Sequence, residues 1–175
     1  MGYTPVKKYY TSESERLIYR PLTSSDIESW SPFFEDNPTE RFLGSKNLGP
    51  TPISKATAWI EKQMWRKDES VYGQLAVIEK SSNAFIGLGG IIERENDDYE
   101  ITYSFLPDFW GKGYGTELAV YFKEFAFENM DVPSVISMIH KENEASIHVA
   151  RKNGMEISSE TTFLEMPIWV FRVSR

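Results

Sequence analysis

Apolar and polar positions along this chain follow two periods, one of two residues and one of about 3.6, and where each holds it marks an element. Residues 1 to 14 follow neither period and are expected to be an extended or partly ordered tail. Arg16 to Leu22 can form a strand. Thr23-Ser24-Ser25-Asp26 has the spacing of a capping box, and the helix it opens carries Ile27, Trp30 and Phe34 and ends before Pro38. Residues 37 to 54, with three prolines and two glycines, have loop composition. A second helix from about Ser54 to Arg66 puts Ala56, Ile60 and Met64 on one side, with Trp59 nearby. Leu75 to Ile78 and Phe85 to Ile92 read as strands joined by a turn at Ser81-Ser82-Asn83. Asn96-Asp97-Asp98 then turns the chain into the alternation of Tyr99, Ile101, Tyr103 and Phe105, which stops at Pro107. Helical spacing returns at Leu118, Phe122 and Phe125, and strand alternation at Ser134 to Ile139. Asn143 can cap a short helix containing Ile147 and Ala150, which Gly154 ends in a left-handed conformation. Strands at about 156 to 164 and 168 to 173 close the chain. The order β, α, α, β, β, β, α, β, α, β, β predicts a mixed α/β protein.

Between the strand that ends near Phe105 and the helix at Leu118, glycine occupies every second position at Gly111, Gly113 and Gly115. Strand, glycine loop and helix in that order bring main-chain N–H groups and a positive helix end to one point, where a phosphate would sit. A P-loop would need Gly-Lys-Ser or Gly-Lys-Thr, which the chain lacks. A dinucleotide fingerprint would need a third glycine where Thr116 stands, in a first βα unit rather than past mid-chain. The remaining pattern, [Q/R]-x-x-G-x-[G/A], cradles the pyrophosphate of acetyl-coenzyme A. It reads here as Trp110-Gly111-Lys112-Gly113-Tyr114-Gly115, with Trp110 in place of Gln or Arg. On the glycines alone, a tight connection that binds nothing stays open.

The whole run Glu100-Ile101-Thr102-Tyr103-Ser104-Phe105-Leu106-Pro107-Asp108-Phe109-Trp110-Gly111-Lys112-Gly113-Tyr114-Gly115-Thr116-Glu117 resembles the signature of GNAT acyl-CoA N-acetyltransferases, in their RimJ/RimL branch of ribosomal-protein N-terminal acetyltransferases and relatives. Glu15 to Leu22 is similar to the opening strand of that branch. Asn143-Glu144-Ala145-Ser146 and Lys152-Asn153-Gly154-Met155 are similar to its N-x-x-S and K-x-G-F elements. The resemblance implies the GNAT fold: a mostly antiparallel twisted sheet of about seven strands flanked by about four helices, in one domain over residues 15 to 175. It also implies an acetyl-CoA-dependent N-acetyltransferase whose acceptor is a primary amine on a peptide N-terminus, a side chain or a small molecule. The alternative on the same fold is an acyl-CoA-binding module without catalysis. A nicotinamide-dependent reductase fits the glycine spacing poorly.

Composition narrows the field. A chain of 175 residues without cysteine has no disulfides, no thiolate nucleophile and no cysteine metal site, which suits a reducing cytoplasm. His140 and His148 are the two imidazoles, far apart and read as structural, so no metal is expected. No apolar run reaches the roughly 18 residues that span a bilayer. A net charge of −7 argues against binding nucleic acid through its phosphates and is compatible with a cationic acceptor. A monomer or a homodimer is expected.

Acetyl transfer from a thioester to an amine needs a polarised carbonyl, a base for the ammonium proton and a donor for the departing sulfur. The resemblance implies that the strand ending at Phe105 and Leu106 splays from its neighbour and pairs with the pantetheine arm, an N–H near Ser104 or Phe105 meeting the acetyl oxygen. It makes Glu100 the candidate base, sharing a face with Thr102 and Ser104, with Glu93 and Glu95 as alternatives. Ser146 is the candidate acid, with Tyr103 and Tyr114 behind it. Trp110, Gly111, Lys112, Gly113, Tyr114, Gly115, Thr116, Asn143, Ser146 and Lys152 are the coenzyme contacts, and Phe42, Leu43 and the second helix line the acceptor groove. Each acid equally suits a structural ion pair, each lysine a solvated surface, and Trp30, Trp59, Trp65 and Trp169 a core or cleft wall.

Overall fold

Strand β1 (Ser12–Glu13) and strand β2 (Leu17–Arg20) open a sheet in the computed structural model, which describes residues 4–175. Short helix α1 (Ile27–Trp30), helix α2 (Pro52–Asp68) and strands β3 (Gln74–Glu79), β4 (Ala84–Glu93) and β5 (Tyr99–Phe105) follow. Helix α3 (Tyr114–Asn129), strand β6 (Ser134–His140), helix α4 (Glu144–Lys152) and strands β7 (Glu156–Phe163) and β8 (Met166–Ser174) complete the chain. Among the described residues the sheet has eight strands in the order β1-β2-β3-β4-β5-β6-β8-β7, and every neighbouring pair is antiparallel except β5 and β6. The count exceeds the expected seven because of the two-residue β1.

Apolar continuity in the central strands has a simple cause: both faces of the sheet are covered. On β3, Leu75 and Val77 enter the core beneath α3 and α4, while Ala76 and Ile78 enter a second core with Trp30, Phe33, Phe34 and Ile60. Successive side chains on a strand point to opposite faces, so one run of residues feeds two cores. The helix expected through Ile27, Trp30 and Phe34 is broken into a four-residue α-turn between 3₁₀ turns. Pro32 has no N–H to give the carbonyl of Glu28, and the Ser31 hydroxyl donates to that carbonyl instead, at 3.2 Å. The tightened turn stacks Trp30 on Phe33 with centroids 4.4 Å apart. Asp26 caps the turn by accepting from the Thr23 N–H at 2.9 Å, and both its oxygens are 2.8 Å from the Arg20 guanidinium. Helix α2 extends two residues beyond each expected end, with Thr51 and Ser54 forming a reciprocal cap around Pro52.

The expectation of a loosely ordered tail over residues 1 to 14 fails from Lys7 onward; residues 1 to 3 lie outside the described residues. Lys7–Thr11 form a 3₁₀ turn that buries Tyr9 completely. The Tyr9 hydroxyl donates to the Gly73 carbonyl at 2.6 Å and accepts from the Ile91 N–H at 2.8 Å. Its ring packs against Tyr72, Phe122 and Phe125. A single buried aromatic therefore anchors a stretch whose sequence carries no period. Tyr9→Phe should keep the packing but leave a buried carbonyl and N–H without this partner, lowering unfolding free energy by roughly 1–3 kcal/mol in urea titration. An unchanged midpoint would show that this hydroxyl does not hold the segment.

Candidate functional site: a wedge between two parallel strands

The parallel pair β5 and β6 touches at a single register position, Glu100 opposite Ile136. By contrast β4 follows β5 for its full length, from Glu93 opposite Tyr99 to Gly87 opposite Phe105, and β8 follows β6 from Ser134 to His140. Each strand thus stays with its antiparallel partner, and the sheet opens between them. At the vertex two side chains take the main-chain groups that a continuing ladder would use. The Ser137 hydroxyl donates to the Ile101 carbonyl at 3.1 Å, and the Met138 N–H donates to the Glu100 carboxylate at 3.2 Å.

Alternation on β5 decides what faces the opening. The Leu106 N–H bonds to the Ile86 carbonyl at 2.9 Å, so in an antiparallel ladder Ser104, Thr102 and Glu100 also turn their main chain to β4. Ile101, Tyr103 and Phe105 turn theirs to the wedge. Two of these groups are occupied, the Ile101 carbonyl by Ser137 and the Phe105 carbonyl by the Trp110 indole N–H at 2.7 Å. The main chain of Tyr103 and the N–H of Phe105 remain directed into the opening. Of the two residues expected to present an N–H there, Phe105 has the right parity and Ser104 does not.

At the mouth lies the glycine loop. Gly111 and Gly113 have φ of +74° and +80°, the left-handed region that glycine enters without a Cβ penalty. No side chain caps α3, since its N-cap is Gly113, so the first N–H groups of a 16-residue helix are left for another acceptor. Gly111 has nothing within 4 Å of where a Cβ would stand, whereas a Cβ on Gly115 would make ordinary contact with Val149 at 3.4 Å and Tyr103 at 3.7 Å. Lys112 is exposed beside this loop with its ammonium over the Phe109 ring, and Thr116 is in the first turn of α3. The Tyr114 hydroxyl donates to Glu79 on β3. Asn143 caps α4 as expected, accepting from the Ser146 N–H at 3.2 Å. The Tyr103 hydroxyl reaches the Ser146 main-chain carbonyl at 3.4 Å, a long contact that brings two of the three expected catalytic residues side by side. Burial pushes the Tyr103 phenol well above its usual range, so it stays protonated. Lys152 is exposed at the opposite end of α4 from Ser146.

Glu100 is buried at the vertex and is not a lone carboxylate. Arg94 reaches it with two nitrogens at 2.5 Å, in addition to the Met138 N–H. Burial raises its pKa, and Arg94 and Met138 oppose that rise without cancelling it. Glu93 is half-buried at the end of β4 and Glu95 is exposed in the following turn. On the face shared by Glu100, Thr102 and Ser104, the Gln74 amide donates to the Thr102 hydroxyl at 3.0 Å, and the Trp59 indole donates to Gln74 at 2.7 Å. This chain of three side chains, with Gln74 buried, was not foreseen because nothing in sequence relates positions 59, 74 and 102. Phe42 packs against His140 at the end of β6, and Leu43 joins the second core. Trp59 and Trp30 also belong to that core, while Trp65 is exposed.

Arg16 lies beside the glycine loop, although nothing in its sequence neighbourhood points there. It donates to Glu117 on α3 at 2.7 Å and to the Lys112 carbonyl at 2.9 Å, with its guanidinium 4.4 Å from the centre of the Tyr114 ring. The available signal was Glu117 itself, an acid in the first turn of a helix expected to receive an anion.

A family model described as an acetyltransferase (GNAT) domain matches residues 16–156. The uncharacterized N-acetyltransferase YoaA of Bacillus subtilis (strain 168) is 23% identical over 146 residues, covering 82% of this chain and 81% of that protein. Among solved structures, an acetyltransferase (GNAT family) from Bacillus anthracis superposes with a TM-score of 0.78 at 20% identity, over 93% of this chain and 96% of that one. Spermidine N-acetyltransferase from Vibrio cholerae, solved in complex with CoA and spermine, does so with a TM-score of 0.73 at 13% identity, over 91% and 95%.

The loop geometry gives two glycines opposite responses to a methyl group. Gly113→Ala forces a side chain into left-handed backbone and should destabilise by roughly 1–2 kcal/mol. Gly115→Ala adds a helix-favouring residue where the Cβ fits and should be neutral or stabilising by up to about 1 kcal/mol. Equal effects in chemical denaturation would refute this division of labour.

Proposed function

This chain belongs to the GNAT acetyltransferase family and is an N-acetyltransferase, and from that premise we propose that it transfers an acetyl group from acetyl-coenzyme A to a primary amine by direct attack in a ternary complex, within the RimJ/RimL branch. The observation that carries this reading is the wedge between β5 and β6 with an uncapped helix N-terminus at its mouth. The residues there fit such a coenzyme: unused main-chain groups along one wall, and a left-handed glycine loop at the entrance.

When bound, acetyl-coenzyme A supplies a thioester with an electrophilic carbonyl carbon and a sulfur leaving group. Main-chain N–H groups from Gly111 to Thr116, with Lys112 beside them, hold the diphosphate. The main chain of Tyr103 lines the pantetheine arm, between Leu106 near the loop and the vertex. The Phe105 N–H donates to the acetyl oxygen as negative charge develops, a contribution on the order of 3–4 kcal/mol. The amine approaches from the α2 face, past Thr102, Ser104, Gln74 and Trp59, in a groove that Phe42 borders. Glu100 accepts the ammonium proton through a water, its raised pKa bringing it closer to the working pH. Nitrogen would bond to the carbonyl carbon as the carbon–sulfur bond breaks, and the Ser146 hydroxyl on the first turn of α4 would give its proton to the departing sulfur while regaining one from the acylated nitrogen, which has to shed its second proton. Asn143 fixes that turn, and the buried Tyr103 hydroxyl is a second donor beside it. The acceptor is an amine on a peptide or a small molecule. A cysteine-free chain suits the cytoplasm, where we place it as a monomer or homodimer.

Purified protein should release free thiol from acetyl-CoA when the right amine is supplied, read with a thiol reagent across an amine panel. Tight coenzyme binding without turnover over the whole panel would favour a non-catalytic binding module. Gly113→Glu should abolish calorimetric coenzyme binding, and unchanged binding would refute the phosphate cradle. The rate should rise with pH as Glu100 ionises, in a range above that of ordinary carboxylates. Glu100→Gln should remove that limb and lower the rate by roughly 10²–10⁴, while an unaltered profile and rate would remove Glu100 from the mechanism.

A further inference from the structure

The coenzyme loop carries an electrostatic contradiction. Glu117 lies in the first turn of α3, close to where the proposed diphosphate would bind. An acid there suits the helix dipole when the site is empty, but it repels a bound anion. Its carboxylate is fully engaged by the β1–β2 region. The Ser14 hydroxyl and the Arg16 N–H donate to one oxygen, each at 2.7 Å, and Arg16 Nε donates to the other at 2.7 Å. Burial alone would raise the pKa of Glu117, and these donors outweigh it and hold the carboxyl below its usual range. Glu117 is therefore ionised at neutral pH, and its charge is opposed by Arg16.

The Arg16 guanidinium does more than neutralise. Nη1 donates to the Lys112 carbonyl at 2.9 Å, in the middle of the loop between the two left-handed glycines. Nη2 is 3.5 Å from where a Cβ on Gly113 would stand. The guanidinium plane covers the Tyr114 ring at 4.4 Å. From its place just before β2, one side chain thus bonds both to the loop and to the helix that follows it. At 43% exposure its ion pair contributes little to global stability, so this arrangement is better explained by what it does for the loop.

We propose that Arg16 is a positioning residue for the coenzyme: it fixes the Lys112 carbonyl so that the loop N–H groups turn toward the diphosphate, and it cancels the Glu117 charge that would repel it. This rests on the reading of the loop as a diphosphate site. The test is calorimetric titration of coenzyme A into the native protein, Arg16→Met, Arg16→Lys, and Arg16→Met combined with Glu117→Gln, with melting temperatures recorded alongside. Arg16→Met should weaken binding by roughly tenfold, the scale of one charge-assisted hydrogen bond. Arg16→Lys, which keeps the charge and loses the fork, should lose less. Adding Glu117→Gln to Arg16→Met should recover at least about threefold, because the uncancelled carboxylate is then gone; such non-additivity marks direct coupling. Native affinity in Arg16→Met, or a double variant as weak as the single one, would overturn the proposal. Should Arg16→Met fail to fold, equal affinity of Arg16→Lys and native protein together with no tightening in Glu117→Gln alone would overturn it. Failure of the native protein to bind coenzyme A would instead overturn the diphosphate reading itself.

Discussion

Two neighbouring strands that run parallel for one residue pair and then part create the wedge on which the candidate site depends. Parting a sheet exposes main-chain N–H and C=O groups, which are costly to leave unpaired. The chain meets this cost locally at the vertex, where Ser137 and Glu100 replace two ladder bonds with side-chain ones. Further out, the Trp110 indole covers the Phe105 carbonyl. What remains directed into the opening is the main chain of Tyr103 and the Phe105 N–H, a short strand edge of the kind that an extended ligand arm can complete.

Glu100 has two roles that pull against each other. As the vertex residue it accepts from Arg94 and Met138, which favours the ionised form. As a buried carboxylate it is pushed toward the neutral form. The same contacts constrain Glu100 structurally, and the proposed role as proton acceptor would draw on this balance.

Charge around the glycine loop is arranged one residue at a time. On a chain with net charge −7, positive potential at the loop has to come from main-chain dipoles and Lys112, with Arg16 opposing the Glu117 carboxylate. Pairing Arg16 with Glu117 leaves the helix terminus as the dominant local dipole. On the face shared by Glu100, Thr102 and Ser104, Trp59, Gln74 and Thr102 form a polar line of side-chain hydrogen bonds.

The sequence by itself determined the elements and their order, because period and turn chemistry are local. Apolar runs around a turn located β3 and β4, alternation located β5 and β6, Asn143 and Gly154 bounded α4, and the spacing of Gly111, Gly113 and Gly115 marked a tight glycine loop. It also contained the run Glu100 to Glu117 that resembles the GNAT signature and lies within the matched residues 16–156. Tertiary structure decided whatever depends on partners distant in sequence. Tyr9 is anchored by Gly73 and Ile91, so an aperiodic stretch became part of the core. Pro32 broke a helix whose side-chain spacing looked continuous, since the missing N–H is a main-chain property that apolar spacing ignores. The Arg94 contact to Glu100, the Arg16 contacts to Lys112 and Glu117, and the line from Trp59 to Thr102 exist only because the sheet brings separate segments side by side. Hydrogen bonds between side chains have no period, so they leave no regular trace in the order of residues.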